Sequence, residues 1–132
     1  MKKKNSHCDY IGMRDADLRS VFIERMGRKG LTLTRLFEEV ACAPARRFYI
    51  SEERAQRLLL EKRRTGRWPH GMIPLRRRMM NLIEERVNYL MALDPTLKLK
   101  DAVFDTVNSP APSFFLTPLT IRTLFYRGLN AC

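Results

Sequence analysis

Side-chain catalysis needs an acid, a base or a nucleophile held beside a partner, and this sequence of 132 residues offers few such groups. Its two histidines are His7, near the start, and His70, in a Pro/Gly-punctuated loop. Neither has a partner in the sequence around it. The carboxylate pairs Glu38-Glu39, Glu52-Glu53 and Glu84-Glu85 are adjacent residues, which point about 100° apart on a helix of 3.6 residues per turn. Such pairs read as solvated helix faces rather than as an acid and base aimed at one substrate. The turn Gly27-Arg28-Lys29-Gly30 resembles a phosphate loop in composition, but it lacks the G-K-[ST] ending and the preceding strand, so it reads as a helix stop. Cys8, Cys42 and Cys132 are odd in number, far apart and free of any C-x-x-C pair, which gives neither a disulfide framework nor a zinc site. His7 beside Cys8 supplies two ligands where zinc takes four. The expectation is a protein that is not an enzyme, with no catalytic residues, no metal and no cofactor.

Charge carries the stronger signal. There are 25 Lys and Arg against 14 Asp and Glu, a formal net charge of +11, and a field of that sign favours polyanions. The excess is concentrated. Residues 46–78 hold 11 basic side chains against three acids (Glu52, Glu53 and Glu61), a local net of +8, so the rest of the chain supplies only +3. The basic residues there are Arg46, Arg47, Arg54, Arg57, Lys62, Arg63, Arg64, Arg67, Arg76, Arg77 and Arg78. Arginine dominates, and its planar fork suits phosphate oxygens and guanine edges better than a lysine ammonium does. Arg76, Arg77 and Arg78 follow Pro74, in the first turn of an expected helix, where the helix dipole disfavours cations by about 0.3–1 kcal/mol each. An anion would remove that penalty. Trp68, the one tryptophan, stands next to Arg67 in the loop RRTGRWPHGMIP. It could stack on a base or enter a minor groove, or it could pin the loop to the core.

The elements that position these residues follow from apolar spacing and from a repeat. Leu18, Val21, Phe22 and Met26 recur at helical spacing behind Asp17, an N-cap type, and stop at Gly27 and Gly30. Leu75, Met79, Ile83, Val87 and Leu90 form a longer stripe between Pro74 and Asp94-Pro95. Two shorter helices are expected around Leu33, Leu36, Phe37 and Val40, and around Leu99, Val103, Thr106 and Val107. A shift of 66 residues then lays APARRFYIS over SPAPSFFLT without a gap: Pro44 falls on Pro110, Ala45 on Ala111, Phe48 on Phe114, Tyr49 on Phe115 and Ser51 on Thr117. Thr117 followed by Pro118 reads as an N-cap with proline at N1, which makes Ser51 an N-cap by equivalence. Third helices are expected through Ala55, Leu58 and Leu59, and through Ile121, Leu124 and Phe125.

The fold class expected is mainly α: two tandem three-helix units, 15–64 and 74–129, in one domain spanning 15–132. A linker, 65–73, joins them, a flexible basic terminus, 1–14, precedes them, and a pseudo-two-fold relates them. The β-prone triplets Phe48-Tyr49-Ile50 and Phe114-Phe115-Leu116 sit outside the helices and either pair as a short two-stranded ribbon or plug the core. A helix-turn-helix is disfavoured, because the segment that would supply its recognition helix is the non-helical triplet.

The segments RRFYISEERA, PAPSFFLTP and FYRG also resemble a family of small basic bacterial proteins of Bacteroides-type genomes that repeat a P-A-P-x-F-Y-[LV]-[ST] element. The resemblance spans 18–127, with Leu119 and Thr120 departing from the small residues expected after the proline. It implies a bacterial, cytoplasmic protein and supports the repeat. It carries no activity or site residues with it.

Function is therefore expected to be nucleic-acid binding, with duplex DNA first. The surface would be formed by Arg46, Arg47, Arg54, Arg57, Arg63, Arg64, Arg67, Trp68, Arg76, Arg77 and Arg78. The alternative is an adaptor or homodimeric scaffold that docks a protein through Phe114 and Phe115. No membrane partner is expected, since residues 1–12 lack the apolar run of a leader and the uncharged stretch 106–121 is broken by Pro110, Pro112 and Pro118.

Overall fold

The computed structural model describes residues 7–28 and 30–129 of the chain. They form six α-helices: α1 (His7–Met26), α2 (Leu33–Cys42), α3 (Glu52–Thr65), α4 (Pro74–Leu93), α5 (Leu99–Val107) and α6 (Pro118–Leu124), closed by a π-helical turn (Phe125–Leu129). Thr32, Ser51 and Thr117 cap α2, α3 and α6, each accepting the backbone N–H three residues on. Pro74 and Pro118 occupy the first helical positions of α4 and α6, where their missing N–H costs nothing. Gly66 ends α3 in the left-handed conformation at φ 83°, which glycine adopts without a Cβ clash.

The first helix differs from the sequence reading. It starts at His7 rather than near Asp17, so residues 7–14, expected as flexible terminus, are helical; residues 1–6 lie outside the described residues. Asp17 is not a cap. It lies in mid-helix with 4% of its surface exposed, and its Oδ2 accepts the Tyr49 hydroxyl (2.6 Å) and the Arg46 backbone N–H (2.8 Å). A carboxylate satisfied by a distant segment has no need of the N–H groups ahead of it, and nothing in the sequence before Gly27 breaks the helix.

The described elements divide into two compact units, one holding residues up to 49 and from 110 onward, the other 50–109. The packing partners are therefore not consecutive. The first unit combines α1 and α2 with α6 and the π-helical turn, and the second combines α3 with α4 and α5.

In the first unit the buried faces are Leu18 and Phe22 of α1, Leu36, Phe37 and Val40 of α2, and Ile121 of α6. Phe125 closes this core, its ring 4.9 Å from Phe22 and 5.5 Å from Phe37, spacings typical of favourable aromatic pairs. Segments 44–49 and 110–115 lie against each other in the same unit. Ala45 and Ala111 form one antiparallel bridge, exchanging two hydrogen bonds of 3.0 Å. The aromatic triplets form no ribbon and stack instead. Phe48 faces Phe115, Tyr49 faces Phe114, and each pair of ring centroids is 6.1 Å apart. Phe115 has φ 55°, left-handed backbone that a phenylalanine enters at a cost of about 1–2 kcal/mol. The backbone bends at 46–47 and at 112–113, directly after the bridged alanines, so the bridge does not extend into a ribbon.

In the second unit, α5 packs on both α4 and α3. Its core is Ala55, Leu58 and Leu59 with Met79, Met80, Ile83 and Val87, and with Ala102, Val103, Thr106 and Val107. The buried positions of α2 (Leu36, Phe37, Val40) correspond in the 66-residue register to Ala102, Val103 and Thr106 of α5, and those of α3 (Ala55, Leu59) to Ile121 and Phe125. In the first helices the register slips by one: Leu18 and Phe22 match Ile83 and Val87, not Glu84 and Asn88. Helices α1 and α4 are followed by loops of different length, so the gapless sequence alignment does not carry through them.

Candidate nucleic-acid interface

Eight of the arginines singled out by sequence lie in the second unit: Arg54, Arg57, Arg63, Arg64, Arg67, Arg76, Arg77 and Arg78. Helix α3 is amphipathic, and burying Ala55, Leu58 and Leu59 leaves Arg54, Arg57, Arg63 and Arg64 outside the core. Helix α4 buries Met79, Met80, Ile83 and Val87, which leaves Arg77 and Arg78 exposed and Arg76 half-buried at its start.

The two helices run in the same direction. Lys62 of α3 pairs with Glu84 of α4, and two turns earlier on each helix the charge of Arg54 acts on Arg76. The N-terminus of α4, the positive end of its dipole, therefore gathers Arg76, Arg77 and Arg78 with Arg54 nearby, whereas the first turn of α3 also holds Glu52 and Glu53. Burial first, and then the Arg54 guanidinium, hold the pKa of Arg76 below the ordinary arginine value, yet arginine remains protonated in any protein near neutrality. The result is a fixed cluster of like charge. Among the described residues none of these eight arginines makes an ion pair. The first unit is different. There Arg25, Arg28 and Arg35 converge on Glu24 and Glu39, and Arg25 and Arg28 hold the Glu24 carboxyl below its usual pKa, the Arg25 hydrogen bond most of all.

Arg46 and Arg47 belong to that first unit, not to the arginine group of α3 and α4. Arg47 is buried: its Nε donates to the Phe48 carbonyl (3.0 Å) and its guanidinium lies over the Tyr10 ring at 4.3 Å. Its charge is spent on holding the crossover segment, since a buried guanidinium needs hydrogen bonds and a π face to replace water. Arg46 is exposed and directed toward Asp17, with Nε 3.8 Å from Oδ1.

Trp68 is 9% exposed. Its indole N–H donates to Asn81 Oδ1 at 2.7 Å, and Lys62 Nζ stands 4.8 Å above the ring. The tryptophan thus pins the 66–73 loop to α4, and base stacking would require it to leave that seat. Around it the loop, the end of α3 and the start of α4 form a cleft of about 640 Å³, lined by Lys62, Arg67, Trp68, His70, Arg77 and Asn81. Arg77 Nη2 donates to the Met72 carbonyl at 3.1 Å and so ties the loop to α4.

Asn81 escaped the sequence reading, which named Lys62, Asp17 and Tyr49 but not their partners. The spacing of Lys62 and Glu84 carries no local signal, because only the return path of the 66–73 loop brings them together. Tyr49 is held by Asp17, and its phenol pKa is raised, first by burial and then by that hydrogen bond. Phe114 and Phe115, expected as a docking surface, face inward: Phe114 is buried and Phe115 half-buried against Phe48. Among the described residues no group of three or more His, Cys, Asp and Glu could hold a metal, and no helix is long and apolar enough to cross a membrane. No family model, curated protein or solved structure matches the chain.

Proposed function

We propose that the protein binds nucleic acid, duplex DNA first, without catalysing a reaction, through the arginines of α3, the 66–73 loop and α4. The observation that carries this reading is the set of eight arginines with no ion-pair partner among the described residues, among which the charge of Arg54 acts on Arg76. Like charges held together destabilise a fold unless something of opposite sign is bound there. Phosphates on a strand supply that sign at a spacing that several guanidinium forks can meet. Arg46 and Arg47 contribute least, because Arg47 is buried and Arg46 is directed toward Asp17.

The chain on this reading is two diverged copies of one three-helix unit whose third helices have been exchanged. Two observations support it: the shared burial pattern of α2 with α5 and of α3 with α6, and the reciprocal pairing of Phe48 with Phe115 and Tyr49 with Phe114 across the Ala45–Ala111 bridge. Reciprocal pairing of that kind is what a local two-fold between the segments 44–49 and 110–115 produces. Membership of the small basic bacterial family remains part of the same proposal, as does a cytoplasmic setting.

The test is affinity for labelled duplex DNA, single-stranded DNA and RNA, measured with the full chain over a salt series. Binding that weakens linearly in log-log form with salt is expected, strongest for the duplex. Absence of binding to all three near physiological ionic strength overturns the reading.

A further inference from the structure

The cleft beside Trp68 is lined mainly by hydrogen-bond donors, with His70 the side chain there that can also accept. Lys62, Arg67 and Arg77 can only donate. Asn81 has its Oδ1 engaged by the Trp68 indole, which leaves the amide NH₂ as a donor. No carboxylate lines the cleft. Lys62 is offset by Glu84, whereas the Arg67 guanidinium has no partner among the described residues, and Arg77 spends one N–H on the Met72 carbonyl and keeps four of the five that arginine carries. A ligand that satisfies this set must accept hydrogen bonds at several points and carry negative charge. A volume of about 640 Å³ exceeds what a bare phosphate fills and lies in the range of small-molecule sites, about 300–1,000 Å³.

We propose that this cleft binds a nucleotide 5′-phosphate, with Arg67 and Arg77 clamping the phosphate and the sugar and base lying along the Pro69–Gly71 loop. Gly66 and Gly71, both with positive φ (83° and 86°), turn the loop so that it forms the wall of the cleft. The 5′-phosphate comes either from the end of a strand or from a free nucleotide. The strand-end form rests on the nucleic-acid reading above; the free-nucleotide form stands without it.

The experiment measures binding of the full chain to three probes: an oligonucleotide with a 5′-phosphate, the same oligonucleotide with a 5′-hydroxyl, and adenosine 5′-monophosphate by calorimetry. If the site takes strand ends, the phosphorylated strand binds roughly tenfold tighter, the size expected for charge-assisted hydrogen bonds to one dianion. Arg67→Ala and Arg77→Ala should then each remove most of that difference, while Arg122→Ala, on α6, leaves it intact. Arg67→Ala is the decisive variant, since its side chain supports nothing else in the fold. If the site takes free nucleotides, adenosine 5′-monophosphate binds and Arg67→Ala abolishes it. Equal affinity for the two oligonucleotides together with no nucleotide binding overturns the cleft proposal and leaves the nucleic-acid reading standing. Nucleotide binding without oligonucleotide binding does the reverse.

Discussion

The Tyr49 hydroxyl sits 2.6 Å from a buried carboxylate oxygen of Asp17, and that one bond ties the segment after α2 to the middle of α1. Removing it by Tyr49→Phe should cost about 1.5–3 kcal/mol, the range for hydrogen bonds to charged groups, seen as a lower midpoint in urea. The pH dependence has a definite sign. The folded phenol has its pKa raised above the ordinary 10.0, so the fold favours the neutral form. Its contribution is complete below pH 10 and is lost as pH rises from there toward the folded value, where the unfolded phenol already ionises. Wild type should therefore lose stability above pH 10 more steeply than Tyr49→Phe, and parallel curves would contradict the assignment. Thr106 is the opposite case. Its Oγ1 is buried and has no hydrogen-bond partner among the described residues, at the position that the 66-residue shift lays on Val40. Thr106→Val should raise stability by about 1 kcal/mol, since it removes an unpaired hydroxyl while keeping the shape; a lower melting temperature would show that the hydroxyl is satisfied. Neither residue could be valued from sequence, because Asp17 and Thr106 look like ordinary cap and helix residues until their distant surroundings are known.

At the scale of elements, the helix boundaries were the most legible feature, because they depend on neighbours in the chain. Ser51 and Thr117 accept the N–H of Arg54 and Thr120, each at 3.1 Å. Replacing either by Ala should destabilise the protein by about 0.5–2 kcal/mol, and an effect at only one of them would argue that the other helix end is held by tertiary packing. Proline at the start of α4 and α6 and glycine after α1 were equally readable. What local pattern could not supply was the start of α1, where a long-range bond and not a cap occupies Asp17, or the fate of the aromatic triplets. Phe48-Tyr49-Ile50 is β-prone by composition, but bends at 46–47 and 112–113 end the pairing after one bridge, and Phe48 stacks on Phe115. The seat of Trp68 was open between stacking and pinning for the same reason: its partners Lys62 and Asn81 are set by the loop path.

For the molecule as a whole, the sequence did not show which helices pack together. Ile121 of α6 belongs with α1 and α2, and Leu59 of α3 with α4 and α5. Truncating each to Ala should cost about 2–5 kcal/mol, with hydrogen-exchange protection falling in α1 and α2 for Ile121→Ala and in α4 and α5 for Leu59→Ala. A fall in protection along consecutive helices instead would contradict the exchange. The basic residues read along 46–78 fall in both units, with Arg47 buried in one and the arginines of α3 and α4 in the other. Those arginines carry the central claim, and the most direct test is the salt dependence of duplex binding for wild type and for the triple variant Arg54→Ala, Arg76→Ala, Arg78→Ala. The log-log slope should flatten by about 0.9 for each phosphate that the variant no longer neutralises. Thermal stability should hold or rise, because like charges at two helix starts are removed. A slope and affinity unchanged in a folded triple variant would contradict the account.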